Sequence, residues 1–372
     1  VTVTLMSLRS CTMGMVLVCL ASHAAQAQDG KPQNFAQVLF TGHSLIDNPM
    51  PDWVELIARS KGKTLAWEEQ IVLGSPLRVR TRGDNAESSG WDGYSYGKNR
   101  HGDGMNVAME LRKPTHVKTG RPYDALVVAE NHGSLGSIVW ENAIGYLRHI
   151  HDRLLDGNPN GKTFYVHTWL QIDTSNPGIW IEHETNSAAA WQCITEKVKL
   201  TLEAEDRPAR LSTVPAGTAL VELVQLALAG DLPGVRGTDE QKLRSIFRDD
   251  VHLTDAGIYL VSAVHYATIY NQSPEGAAAP PTVPRALVAP LQKIAWKVAQ
   301  DLAAKNKTRA LDMKECRRVI SEKICRTYWT MNREPHEVQP CQLFFAKSYP
   351  EFGGNPFVWP DPYWKALPKP SL

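Results

Sequence analysis

Five short apolar runs punctuate this chain, and each stops abruptly at a glycine or a polar residue. They are residues 34–42, "LAWEEQIVLG" ending at Gly74, "DALVVAEN" over 124–131, "KTFYVHTW" over 162–169, and "ARLSTVPAG". Segments of helical spacing lie between them. One opens at Pro49 and Pro51 and carries Trp53, Leu56 and Ile57 on one face; others cover Ile138–Leu155 and Ala188–Ala204. The last, "HLTDAGIYLVSAVHYATIY", is predicted to start behind Thr254 as N-cap. Strands that alternate with helices pair in parallel, because the helix supplies the long crossover that a parallel pair needs. The expected fold class is therefore α/β, a parallel sheet with helices on both faces. Such sheets bind ligands beyond the carboxyl ends of their strands, and Ser44, Gly74 and Asn131 all lie just past such ends.

With 372 residues, 43% of them apolar, the chain can bury a large core. Its 40 basic and 39 acidic residues leave a net charge of +1, without the basic footprint of a nucleic-acid binder. The first residues read as an export signal over 1–27. Arg9 supplies the positive charge, Met13 to Ala21 the apolar core, and Ala25-Gln26-Ala27 the cleavage site before Gln28. That apolar stretch is short for a bilayer span, and bulky Val18 argues against lipid attachment at Cys19. The expectation is an exported protein, periplasmic or extracellular, with no stable membrane insertion after signal removal.

The main domain is expected over 28–272. "SPEGAAAPPTVP" then reads as a linker, a helix follows over Ala286–Lys305, and 273–372 forms a cysteine-containing, helical or irregular C-terminal appendage. Four cysteines remain after signal removal: Cys193, Cys316, Cys325 and Cys341. In an oxidising compartment they favour disulfides, with three connectivities open. Zinc held by Cys316, Cys325, Cys341 and His336 is the alternative, on a spacing that matches no familiar zinc knuckle.

A serine hydroxyl becomes a nucleophile when a histidine takes its proton and a carboxylate orients that histidine. "RDDVHLTDAG" places Asp249 three residues before His252, a spacing that lets the carboxylate fold back onto the ring; Asp250 is the competing partner. Acyl transfer also needs donors for the developing oxyanion. Gly74 offers an unobstructed backbone N–H, Asn131 a side-chain amide and Ser44 its own backbone N–H.

The series Ser44, Gly74, Asn131, Asp249 and His252 resembles the SGNH, or GDSL-like, hydrolase family. That family carries its nucleophile within G-D-S-L after the first strand, and here the stretch is Gly42-His43-Ser44-Leu45. Its oxyanion glycine matches Gly74 in "LGSPL". Its G-x-N-D block is Ala129-Glu130-Asn131-His132 here, and its D-x-x-H block is Asp249 to His252. His43, Ala129 and His132 depart from the pattern, and both histidines are expected as polar neighbours of the site.

The resemblance covers roughly Phe35 to Tyr270 and implies a flavodoxin-like three-layer α/β/α sandwich. It also implies a serine esterase that needs no metal or organic cofactor. Ser44, Asp249 and His252 would be catalytic, with Ser44, Gly74 and Asn131 forming the oxyanion hole. The expected substrate is a small-molecule or glycan ester, with O-deacetylation of a carbohydrate favoured and Trp91 and Tyr94 as pocket candidates. Trp169 is expected to be structural. Acyl transfer, or a non-catalytic glycan-binding or envelope-assembly module on the same fold, are the alternatives.

Overall fold

The computed structural model describes residues 34–81, 95–116, 119–308, 311–347 and 355–360. The expected signal segment, Trp91 and Tyr94, and most of the Pro- and aromatic-rich tail lie outside the described residues.

The five apolar runs form one sheet. Strand β1 spans Phe35–Gly42, β2 Thr64–Ile71, β3 Ala125–Ala129, β4 Lys162–Val166 and β5 Leu211–Val214. Their order is β2-β1-β3-β4-β5 and every pairing is parallel. This is the doubly wound order in which the chain reverses direction across the sheet beside β1. All five residues of β3 are buried, as are Val38, Leu39 and Phe40 of β1. Central strands covered on both faces require such unbroken apolar runs.

Helix α1 (Met50–Ser60) follows β1; α2 (Leu77–Arg80) and α3 (Val107–Leu111) follow β2. Helices α4 (Ser134–Val139) and α5 (Ala143–Gly157) follow β3, and α6 (Pro177–Glu203) follows β4. After β5 come α7 (Ala216–Ala229), α8 (Asp239–Arg244) and α9 (Asp255–Tyr270). Helix α1 packs on α9, while α3, α5 and α6 pack in series. Right-handed crossovers in opposite directions from β1 place these two groups on opposite faces, giving the three-layer α/β/α sandwich.

Three details depart from the sequence reading. The single helix expected over Ile138–Leu155 is two, because Asn142 adopts a left-handed conformation (φ 47°) that no α-helix accommodates. The helix expected from Ala188 begins at Pro177, where proline sits in the first turn. Thr254 occupies the N-cap position of α9 as expected, but its side chain makes no capping hydrogen bond. Its hydroxyl donates instead to the Ser245 and Ile246 carbonyls at the end of α8.

Helix α10 (Arg285–Thr308) lies on α9. Helix α11 (Met313–Val319), a π-helical turn at Ile320–Ile324, α12 (Cys325–Met331) and α13 (Val338–Ala346) follow. This segment covers α6. Its cysteines resolve the open connectivity: Cys193 of α6 bonds Cys316, and Cys325 bonds Cys341. The thiols considered for zinc are thus engaged in disulfides, which belong to an oxidising environment. Among the described residues, no helix is long and apolar enough to cross a membrane.

The Cys193–Cys316 bond closes a loop of 123 residues. Replacing both cysteines by Ala is expected to cost about 4 kcal/mol, because the unfolded chain regains the freedom that so long a closed loop denies it. Urea unfolding of the variant beside the parent measures this.

Candidate active site

Strand β1 ends at Gly42, and the backbone turns at once: the Ile46 N–H donates to the His43 carbonyl at 3.0 Å. A side chain at Gly42 would meet the packed Ile46 side chain at 2.4 Å, so a larger residue here would force Ile46 to move. Ser44 sits at the crest of the turn, half-buried. Helix α1 begins six residues later, at Met50, rather than directly beside the serine.

The histidine reaches Ser44 from the far end of the chain. Phe247 and Leu253 form an isolated antiparallel bridge, and the Arg248 N–H donates to the His252 carbonyl at 2.9 Å, closing a small loop. Within it, Asp249 Oδ1 accepts the N–H groups of Val251 (2.8 Å) and His252 (2.7 Å). Its Oδ2 lies 2.8 Å from His252 Nδ1. A carboxylate only accepts, so Nδ1 carries the proton and Nε2 presents its lone pair. That Nε2 lies 3.0 Å from Ser44 Oγ, so the hydroxyl donates to it. Asp250, the competing partner, is paired instead with Arg244 at 3.0 Å.

Desolvation, the largest single influence, pushes the Asp249 carboxyl up. The two N–H groups and the His252 ring outweigh it and hold the group down to about 2, below its ordinary 3.8. A depressed carboxyl favours the folded state above the ordinary value, and that contribution disappears as pH falls through about 2. Asp249 therefore stays ionised wherever a histidine can act as base.

Two indole and amide groups from beyond β4 prop this loop from behind. Trp169 Nε1–H donates to the Val251 carbonyl, and the Ile172 N–H donates to that of Asp250, both at 2.8 Å. Trp169 is fully buried and also walls the cavity in front of Ser44.

Gly74 follows β2 with φ +67°, a left-handed conformation that glycine adopts freely. The Val72 N–H donates to the Gly42 carbonyl at 3.0 Å, holding the end of β2 beside the end of β1. Asn131 follows β3, and its Nδ2 lies 3.4 Å from the Gly74 carbonyl. The sheet order sets β1 between β2 and β3, so Ser44 emerges between the segments carrying Gly74 and Asn131.

The residues that sequence reasoning missed hold those segments in place. Glu130 is fully buried, and its Oε1 accepts the N–H groups of Leu77 (2.8 Å) and Asn131 (2.7 Å), clamping the Gly74 turn to β3. Its carbonyl accepts from His43 Nε2 at 2.8 Å. Burial pushes the Glu130 carboxyl up to about 7, against the pull of Arg80 and the two N–H groups. Arg80, also fully buried, donates to the Ser75 carbonyl (2.8 Å), Thr41 Oγ1 (3.2 Å) and the Ala129 carbonyl. His43 is driven down to about 3 by burial and stays neutral; burial also lowers His132. A signal existed: Glu130 ends an otherwise apolar strand, and a charge there demands partners.

Among solved structures, a DUF4886 family protein from Bacteroides uniformis is similar over 72% of this chain and 95% of its own, with a TM-score of 0.48 and 16% identity. No family model matches the sequence, and no curated protein does. A likeness of that degree carries no argument about chemistry.

Replacing Glu130 by Ala is expected to cost about 1–3 kcal/mol for the buried Leu77 N–H it strands, and less for the part-buried N–H of Asn131. Glu130→Gln keeps the Oε1 acceptor and is expected to lose less. Chemical unfolding of both variants tests this ordering.

Proposed function

We propose that this chain is a serine ester hydrolase working through an acyl-enzyme. One observation carries the reading: Asp249, His252 and Ser44 form an unbroken relay, 2.8 Å and then 3.0 Å, at the carboxyl end of a parallel sheet. The resemblance to SGNH hydrolases adds to it.

His252 Nε2 takes the Ser44 proton as Oγ attacks the ester carbonyl, and Asp249 stabilises the imidazolium that forms. Negative charge develops on the carbonyl oxygen. The Ser44 and Gly74 N–H groups and the Asn131 amide are its proposed donors. His252 then gives its proton to the departing alkoxide, and the alcohol leaves. Water enters, loses a proton to His252, and attacks the acyl-enzyme; collapse frees the carboxylic acid and returns the proton to Ser44 Oγ. These steps need no metal or organic cofactor. The two disulfides favour an exported protein as the setting.

Ser44→Ala is expected to lower kcat on an aryl acetate about a thousandfold or more, with the circular dichroism spectrum unchanged, and to abolish labelling by a fluorophosphonate. Asp249→Asn keeps an acceptor for the loop N–H groups but loses the charge that steadies the imidazolium; about a hundredfold loss of kcat is expected. Undiminished turnover by the Ser44 variant would refute the assignment.

A further inference from the structure

The cavity in front of Ser44 has a volume of about 350 Å³, far more than an acetyl group occupies. Its walls are mainly apolar: Met50, Trp169, Leu253 and Val261 are all buried, while exposed Leu73 stands at the edge. The charged side chains lining it beside His252 are Asp47 and Arg248. Asp47 comes from the turn after Ser44, and Arg248 from the loop that carries His252.

Arg248 differs from the arginines around it. Arg80 is consumed by four hydrogen bonds inside the fold. Arg78 pairs with Glu141, and Arg244 with Asp250. Among the described residues, the Arg248 guanidinium has no ion pair, while its backbone is fixed by the hydrogen bond to the His252 carbonyl and the adjoining Phe247–Leu253 bridge. The backbone that carries this cation is thus fixed beside the proposed base, and the guanidinium lines the cavity with its donors unspent.

We infer that Arg248 is a specificity residue that selects esters bearing a carboxylate, whose uncharged part fills the apolar wall of the cavity. This rests on the ester-hydrolase reading and narrows its substrate class. A neutral ester leaves the guanidinium to water. A carboxylate within reach replaces that water with a charge-assisted, two-pronged hydrogen bond. Arg248 is exposed, so the gain is modest and screened by salt, on the order of tenfold in selectivity. Asp47, from the turn after Ser44, lines the same cavity and repels a carboxylate placed beside it, which favours the pose that turns the carboxylate toward Arg248.

The test is kcat/KM of the full chain and its variants on two matched pairs. The first is para-nitrophenyl pentanoate against the para-nitrophenyl monoester of glutaric acid, with the charge on the acyl side. The second is phenyl acetate against meta-acetoxybenzoate, with the charge on the alcohol side. In at least one pair the anionic ester is preferred. In that pair Arg248→Gln lowers the anionic-to-neutral ratio about tenfold, Arg248→Lys lowers it less, and Arg248→Glu inverts it. Raising the ionic strength narrows the parent's ratio and leaves that of the Gln variant flat. Fluorophosphonate labelling of Ser44 in each variant shows that the site is intact. Turnover with a ratio that the Gln variant does not change, in both pairs, overturns the role of Arg248 alone. Absence of turnover on all four esters together with absence of labelling overturns the hydrolase reading and this inference with it.

Discussion

A guanidinium with no access to water must have its donors met by the protein, and that requirement organises the carboxyl end of this sheet. Arg80 is such a group. Burial pulls it down to about 10, so it remains a cation at neutral pH. Its partners come from three segments: Thr41 at the end of β1, Ser75 in the turn after β2, and the Ala129 carbonyl at the end of β3. Leaving any of them unmet would strand a buried charge, which costs far more than a surface ion pair could contribute. The three strand ends are therefore held in one register relative to each other. Glu130 answers the positive charge from beside it and adds the link to Leu77. The segments bearing Ser44, Gly74 and Asn131 inherit their spacing from this buried pair.

The histidine is held by a different principle. Its loop lies at the surface, where flexibility would blunt a hydrogen bond to Ser44. Asp249 removes that freedom by accepting two backbone N–H groups with one oxygen and the imidazole with the other. The same carboxylate thus shapes the loop and sets the tautomer. Desolvation opposes charge on Asp249, and the low pKa follows because the local hydrogen bonds and the His252 ring together outweigh it. Rigidity here is produced by short-range contacts, whereas the proposed oxyanion side depends on a buried network.

That difference explains what could be read from the chain. The strands were legible because their apolar runs must be continuous to survive between two helical layers, and the order of glycine, serine, asparagine and histidine blocks points to strand ends. The Asp249–His252 pairing is local, so its spacing is visible in the sequence. The Arg80–Glu130 pair is separated by fifty residues and by a strand, and nothing in "PLRVR" marks its second arginine as buried. Helix ends were misread where one residue overrode the pattern, as the left-handed Asn142 did between α4 and α5. Thr254 shows the converse: a residue with the right chemistry for a cap spends its hydroxyl on another helix. The disulfide pairing depended on tertiary proximity alone.

The C-terminal segment bears on the proposed site through α6. Cys316 fastens that segment to Cys193 in the middle of α6, and the first turns of the same helix supply Glu184 and Trp180. Glu184 Oε1 accepts the Leu170 N–H at 2.7 Å, and Trp180 Nε1–H donates to the Leu170 carbonyl at 2.8 Å. Leu170 is thereby gripped at both backbone groups. Its neighbours Trp169 and Ile172 are the residues that hold the carbonyls of Val251 and Asp250. A continuous path of covalent and hydrogen bonds thus runs from the staple to the loop that presents His252. The appendage is therefore placed to steady the proposed base, while none of its described residues lines the cavity in front of Ser44.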